Sequence, residues 1–208
     1  MSARILALVG AFALIASAAL AHHPGVHLNA VMAAQEPAFE PLDHVDAPEF
    51  DLTPSAGTRL HLADFDGKVL VLSFVAGDCG PDCVAQQTAL AAVQSRVNIT
   101  PMLDLVKFVT VVVLDHPLPE AVISAFDRAN WQVVSTDPTA GNEATYAALS
   151  TRKDAHPMTY MVDRLGRVGG IFHGTAFGQV NMVLYINGLS NDHEKRETTF
   201  WQLVWGLF

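Results

Sequence analysis

Cysteine occurs only at Cys79 and Cys83 in the 208 residues, and both fall within the stretch CGPDC. A thiol pair at this spacing closes a structural disulfide, cycles between dithiol and disulfide, or binds a soft metal ion. A permanent bond around so short a loop would add little stability, because the entropy removed from the unfolded chain grows with loop length. A redox pair suits the surroundings, although the spacing is wider than in the usual C-x-x-C motif. Two thiolates favour Cu(I), while Cu(II) also wants imidazole nitrogen. Zinc would call for four ligands, including further Cys or His. On these residues alone the three readings stay open.

The elements around the pair must place it. KVLVLSFVAG is a continuous apolar run, the pattern of a strand buried on both faces. VAQQTALAAVQSRV lacks Gly and Pro, and Val84, Leu90, Val93 and Val97 recur in it at helical spacing. The pair therefore stands where a central strand gives way to a helix, with Cys79 just before the helix and Cys83 in its first turn. Residues four apart share a helix face, which brings the two within the disulfide range of about 4.4–6.8 Å between α-carbons. Pro81 and Asp82 suit a first turn, and a helix N-terminus lowers a thiol pKa. Open α/β sheets carry their sites at the carboxyl ends of such strands.

Further along, VKFVTVVVL at 106–114 reads as a second buried strand. Pro119–Ala129 reads as a helix, WQVVS as a short segment near a turn, and Thr139–Leu149 as a short helix. MTYMVD and RVGGIFHG form two strands joined at Arg164, Leu165 and Gly166. Upstream, Phe50, Leu52, Leu60, Leu62 and Phe65 mark short strands about Gly57. The order predicts an α/β, thioredoxin-like fold: a central mixed sheet flanked by helices, with an N-terminal strand extension.

With 21 acidic against 12 basic residues, net −9, the chain lacks the basic footprint of a nucleic-acid binder. Residues 1–21 read as a signal peptide: Arg4, an apolar run from Ile5 to Leu20, and a small-x-small ending at Ala21. The mature chain would begin at His22. A retained membrane anchor is the alternative, and either places the folded part outside the cytosol, where a disulfide persists. Residues 22–45 read as a flexible linker, 46–190 as the domain, and 191–208 as an aromatic tail. That tail ends in FWQLVWGLF and would form a terminal helix covering the sheet edge or a partner.

GKVLVLSFVAGDCGPDC, VKFVTVVVLDHPLPEAV, WQVVS and DAHPMTYMVDRLGRV, across about residues 46–175, resemble the Sco/SenC family. The resemblance implies a thioredoxin fold and a periplasmic location. It implies one copper ion, Cu(I) or Cu(II), held by two cysteines with three residues between them and a distant histidine. It also implies delivery to the CuA subunit of cytochrome c oxidase or another copper acceptor, with a thioredoxin-like reductant. By that resemblance Cys79 and Cys83 are the thiolate ligands and His156 the imidazole. Asp115 matches an acidic residue of the family without a role assigned. Gly80 and Val84 stand where the family usually has proline, and a cis His156–Pro157 bond fits the fold. His116 and His173 are the substitute ligands should His156 fail, but both, like His44 and His61, read as satisfied or solvated. Met102, Met158 and Met161 read as core, and the His22, His23, His27 cluster as a tail with a minor copper-collecting option. The enzyme alternative is a thiol-disulfide oxidoreductase or peroxiredoxin-like enzyme with Cys79 and Cys83 as its catalytic pair. A peroxidase would want an arginine and a hydroxyl beside the cysteine, which the local sequence lacks. No Gly-rich phosphate loop follows the first core strand, so no organic cofactor is expected.

Overall fold

The computed structural model of the chain describes residues 27–47, 51–52, 60–76, 80–113, 119–136 and 157–192. In chain order these form α1 (Leu28–Gln35), β1 (Phe39–Asp46), β2 (Asp51–Leu52), β3 (Leu60–His61), a 3₁₀ turn at Leu62–Phe65, β4 (Val69–Ala76) and α2 (Gly80–Asn98). Then follow a 3₁₀ turn at Pro101–Asp104, β5 (Val106–Val113), α3 (Glu120–Ile123), β6 (Trp131–Thr136), β7 (Met158–Val162), β8 (Arg167–His173) and α4 (Gln179–Asn191).

Six strands make one mixed sheet in the order β1-β8-β7-β4-β5-β6. β4, β5 and β6 run parallel, while β7, β8 and β1 add antiparallel partners. β2 and β3 pair separately. The apolar run of β4 is explained by burial on both sides. Val69, Val71 and Val75 join a core with Leu90 and Val97 of α2, Val122 of α3 and Ile186 of α4. Leu70, Leu72 and Phe74 join a second core, covered among the described residues by Ala47, Leu62 and Phe65. The β7–β8 turn is fastened by the buried Asp163 carboxylate. It accepts from the Leu165 and Arg167 amides at 2.9 Å each and from Arg167 Nε at 2.8 Å.

The strand, helix, strand and terminal hairpin expected from sequence are present. Five expectations change. Leu62 and Phe65 lie in a 3₁₀ turn rather than in a short strand. WQVVS is a full parallel strand, β6. The helix expected over Pro119–Ala129 is confined to Glu120–Ile123. α4 was not anticipated at all. The linker expected over 22–45 instead carries α1 and most of β1. Pro41 hid that strand, yet it lies on a sheet edge, beside a register shift between Pro41 and Val45, where a missing N–H is tolerated. Thr139–Leu149 and the aromatic tail beyond Asp192 lie outside the described residues, as do residues 1–26. Among the described residues no helix is long and apolar enough to cross a membrane.

Tertiary contacts hold this N-terminal segment. Asn29 Nδ2 donates to the Leu42 carbonyl at 2.7 Å, and Asn29 Oδ1 accepts the Tyr185 hydroxyl at 2.6 Å. Burial, with the Asp163 charge adding, pushes the Tyr185 phenol well above its ordinary range. Glu36 is only 4% exposed. Its carboxylate accepts from the Gly178 amide at 2.6 Å and Asn181 Nδ2 at 3.2 Å, capping α4. Glu36→Ala is expected to cost about 2–3 kcal/mol, because a carboxylate acceptor is lost and two part-buried donors are orphaned. Urea unfolding with an unchanged m-value checks this; a loss under about 0.5 kcal/mol would contradict it.

Candidate functional site

α2 starts four residues after the carboxyl end of β4. Its opening residue, Gly80, has φ +46°, while a Cβ there would meet nothing within 4 Å. Conformation, not space, demands glycine at this position. It also accounts for the absence of the proline usual in the resembled family, since proline fixes φ near −65°. Gly80, Pro81 and Asp82 are exposed, and Asp82 places a negative charge in the first turn, where the helix dipole favours it.

Cys83 follows in that turn, 2% exposed and disulfide-bonded. Cys79 is the other cysteine of the sequence and lies outside the described residues. The Cys83 Sγ stands 4.0 Å from the Phe74 carbonyl oxygen. A disulfide sulfur carries no proton to donate, so this is a contact in the oxidised state. A reduced thiol would find an acceptor there.

Leu90, Val93 and Val97 of α2 are buried as their spacing predicts, but the buried face also carries three glutamines. Val84 is only half-buried, and the inward stripe runs Cys83, Gln86, Gln87, Leu90, Ala91, Val93, Gln94 and Val97. Two amides one turn beyond Cys83 therefore enter the core. Gln86 Nε2 donates to Thr159 Oγ1 of β7 at 3.0 Å. Gln87 Nε2 donates to Ser73 Oγ of β4 at 3.0 Å and to Gln86 Oε1 at 3.2 Å. Gln87 Oε1 accepts the Thr110 hydroxyl of β5 at 2.8 Å, and Thr110 Oγ1 accepts Trp131 Nε1 of β6 at 3.0 Å. None of these residues is among the site residues expected from sequence. The signal was the pair QQ at three and four positions past Cys83, polar residues on the cysteine's own face.

His156, the expected imidazole ligand, lies outside the described residues, as do Asp115, His116 and the His156–Pro157 bond. Pro157 is buried, and its carbonyl accepts the Gly174 amide at 2.7 Å, directly before β7. His173 is placed elsewhere than a substitute ligand requires. Its Nε2 lies 2.7 Å from Glu40 Oε2, and its alternation with Phe172 and Ile171 turns it to the sheet face opposite Cys83. His61 is exposed in a capping box with Asp64. His44 belongs to β1, separated from β4 by β8 and β7. Met102, Met158 and Met161 are core residues, as expected. Among the described residues no three His, Cys, Asp or Glu side chains cluster for a metal.

The Redoxin family model matches residues 43–177. No curated protein sequence matches the chain. Among solved structures, the chain is similar to BsSco, described as a member of the Sco family of cytochrome c oxidase assembly proteins with a disulfide switch. That match has 13% identity, TM-score 0.57, and covers 73% of this chain and 96% of that one. It is also similar to a SCO1/SenC family lipoprotein of Bacillus anthracis, at 22% identity, TM-score 0.56, and 73% and 98% coverage. A thioredoxin-family thiol:disulfide interchange protein of Chlorobium tepidum matches at 17% identity, TM-score 0.52, and 73% and 100% coverage. These likenesses establish the fold as thioredoxin-like.

Proposed function

This chain belongs to the Redoxin family, and from that premise we propose that Cys79 and Cys83 form a reversible thiol pair which, when reduced, carries copper as cargo. The observation that supports it most is the state and place of Cys83: disulfide-bonded, buried, and in the first turn of a helix that follows a central strand. Two thiolates suit Cu(I), and His156 supplies the imidazole that Cu(II) adds. The disulfide has no lone thiolate to offer, so oxidation releases the metal and reduction restores the site. Transfer proceeds by ligand exchange to an acceptor such as an oxidase CuA subunit, and a thioredoxin-like protein regenerates the dithiol. The two Sco-type structural neighbours support this choice within the fold. We further propose export through residues 1–21, which places the domain in the periplasm, with anchoring by that segment as the alternative.

The test is copper titration of the fully reduced chain, followed by metal analysis, visible absorption and electron paramagnetic resonance. His156→Ala is expected to keep stoichiometric Cu(I) and to lose the Cu(II)–thiolate absorption band. A wild-type Cu(II) spectrum in that variant rejects His156 as ligand. The bonded state of Cys83 equally supports a second reading, a thiol-disulfide oxidoreductase using the same pair. That reading is the one left if the reduced wild type binds neither oxidation state.

A further inference from the structure

The copper and thiol chemistry leaves unused the polar network beneath Cys83. Ser73, Gln86, Gln87, Thr110 and Thr159 are each no more than 1% exposed. They lie on the sheet face that α2 covers, amid Val71, Val112 and Met161. Burying such groups gains little over apolar packing, and one left unpaired costs about 1–3 kcal/mol. What the network adds is register: an apolar contact tolerates a small slide or rotation of a helix, whereas these bonds are all made in one position only. Their placement follows the cysteine. Gln87 grips Ser73, the neighbour of Phe74, whose carbonyl faces the Cys83 sulfur. Gln86 grips Thr159, two residues beyond Pro157. The first turns of α2 are thus tied to both strands that flank the cysteine.

We propose that Gln86 and Gln87 are positioning residues for Cys83. They hold its sulfur where the bond to Cys79 closes without movement of the helix. Fixing one thiol in place raises the effective concentration of the pair. That favours the disulfide over the dithiol and lowers the reduction potential. The inference rests on the redox reading of the cysteines but not on copper. The step is disulfide exchange: a dithiol reductant supplies two electrons and two protons and its own sulfurs join, while the Cys79–Cys83 bond opens to two thiols.

The experiment equilibrates the full chain in dithiothreitol redox buffers and unfolds its oxidised and reduced forms in urea. The variants are Gln86→Met, Thr159→Val and Thr159→Ser. Thr159→Val keeps the side-chain shape, so the test stands even where Gln86→Met fails to fold. Gln86→Met and Thr159→Val are expected to make reduction about tenfold more favourable, roughly 30 mV. Thr159→Ser keeps the hydroxyl and is expected to stay within about twofold of wild type. By the thermodynamic cycle, the oxidised form should lose about 1.4 kcal/mol more stability than the reduced one. Equal losses in the two forms, or a shift to a lower potential, would overturn the proposal and mark the network as packing. A wild-type disulfide that yields only on unfolding would overturn both the redox reading and this role. A reducible wild type with unmoved variants would overturn this role alone.

Discussion

Cys83→Ser is expected to bind neither Cu(I) nor Cu(II) above background and to have no reducible disulfide. The expected loss in copper affinity is at least about 100-fold, beyond the 10–100-fold typical of groups that only support a ligand. Serine oxygen is a hard, protonated donor at neutral pH, and a single remaining thiolate leaves Cu(I) short of a partner. The stability cost separates cleanly from this. Losing a bond around five residues removes about 2 kcal/mol on chain-entropy grounds. The new hydroxyl sits in a site 2% exposed, beside the Phe74 carbonyl. Cys83→Ala reports the same chemistry without a buried hydroxyl, so it should match Cys83→Ser in copper and differ only in stability. Equilibrium dialysis against a Cu(I) chelator and urea unfolding read the two effects. Stoichiometric copper in either variant would remove Cys83 from the ligand set.

Gly170→Ala should produce the largest purely structural loss. β8 pairs with β1 so that Phe39 faces Phe172, and the Phe39 ring lies over Gly170. A Cβ at 170 would overlap Phe39 Cζ and stand 2.9 Å from the Glu40 carbonyl oxygen. One obstacle is backbone, and the other is a ring wedged against its neighbours. Its centroid is 4.9 Å from that of Phe172 and 4.7 Å from that of Tyr185. Alanine ordinarily suits a strand at least as well as glycine, so the sign of the effect comes from this contact alone. The expected cost is about 3 kcal/mol, the upper end for overpacking. Phe39→Ala is itself destabilising, but the double variant should be less so than the sum, because the ring no longer meets the new methyl. A double-mutant cycle measures that coupling; strict additivity would show that the ring moves aside freely.

The parallel strands and the β7–β8 hairpin could be read from the chain because their signals are local. Val69–Ala76 and Val106–Val113 are apolar but for Ser73, Lys107 and Thr110, and Asp163 to Gly166 carries the chemistry of a tight turn. The cysteines' place before and within a helix was legible for the same reason. What failed was whatever depends on contacts distant in sequence. Residues 28–46 have no apolar period because Met32 and Phe39 are buried by α4 and β8 rather than by a local face. The inward stripe of α2 was legible at Leu90, Val93 and Val97 but not at Gln86, Gln87 and Gln94, because a hydrophobic pattern gives core positions to residues such as Val84 and not to amides. No pattern in a single strand or helix announces that three strands, β4, β5 and β7, each offer a partner to Gln86 or Gln87.

The clasp between the two ends of the domain also bears on how the chain acquires its shape. Glu36 meets Gly178 across 142 positions, and Asn29 meets Tyr185 across 156. Contacts so distant close late, since the entropy of the intervening loop must be surrendered before they return anything. The first strand to be synthesised is therefore the last to be seated: β1 has no sheet edge to join until β8 has formed. During vectorial emergence from a ribosome or a translocation pore, β4, α2 and the cysteine between them precede their own roof by about a hundred residues. Under the export proposed above, the thiols would meet oxidant while the outer edge of the sheet is still open.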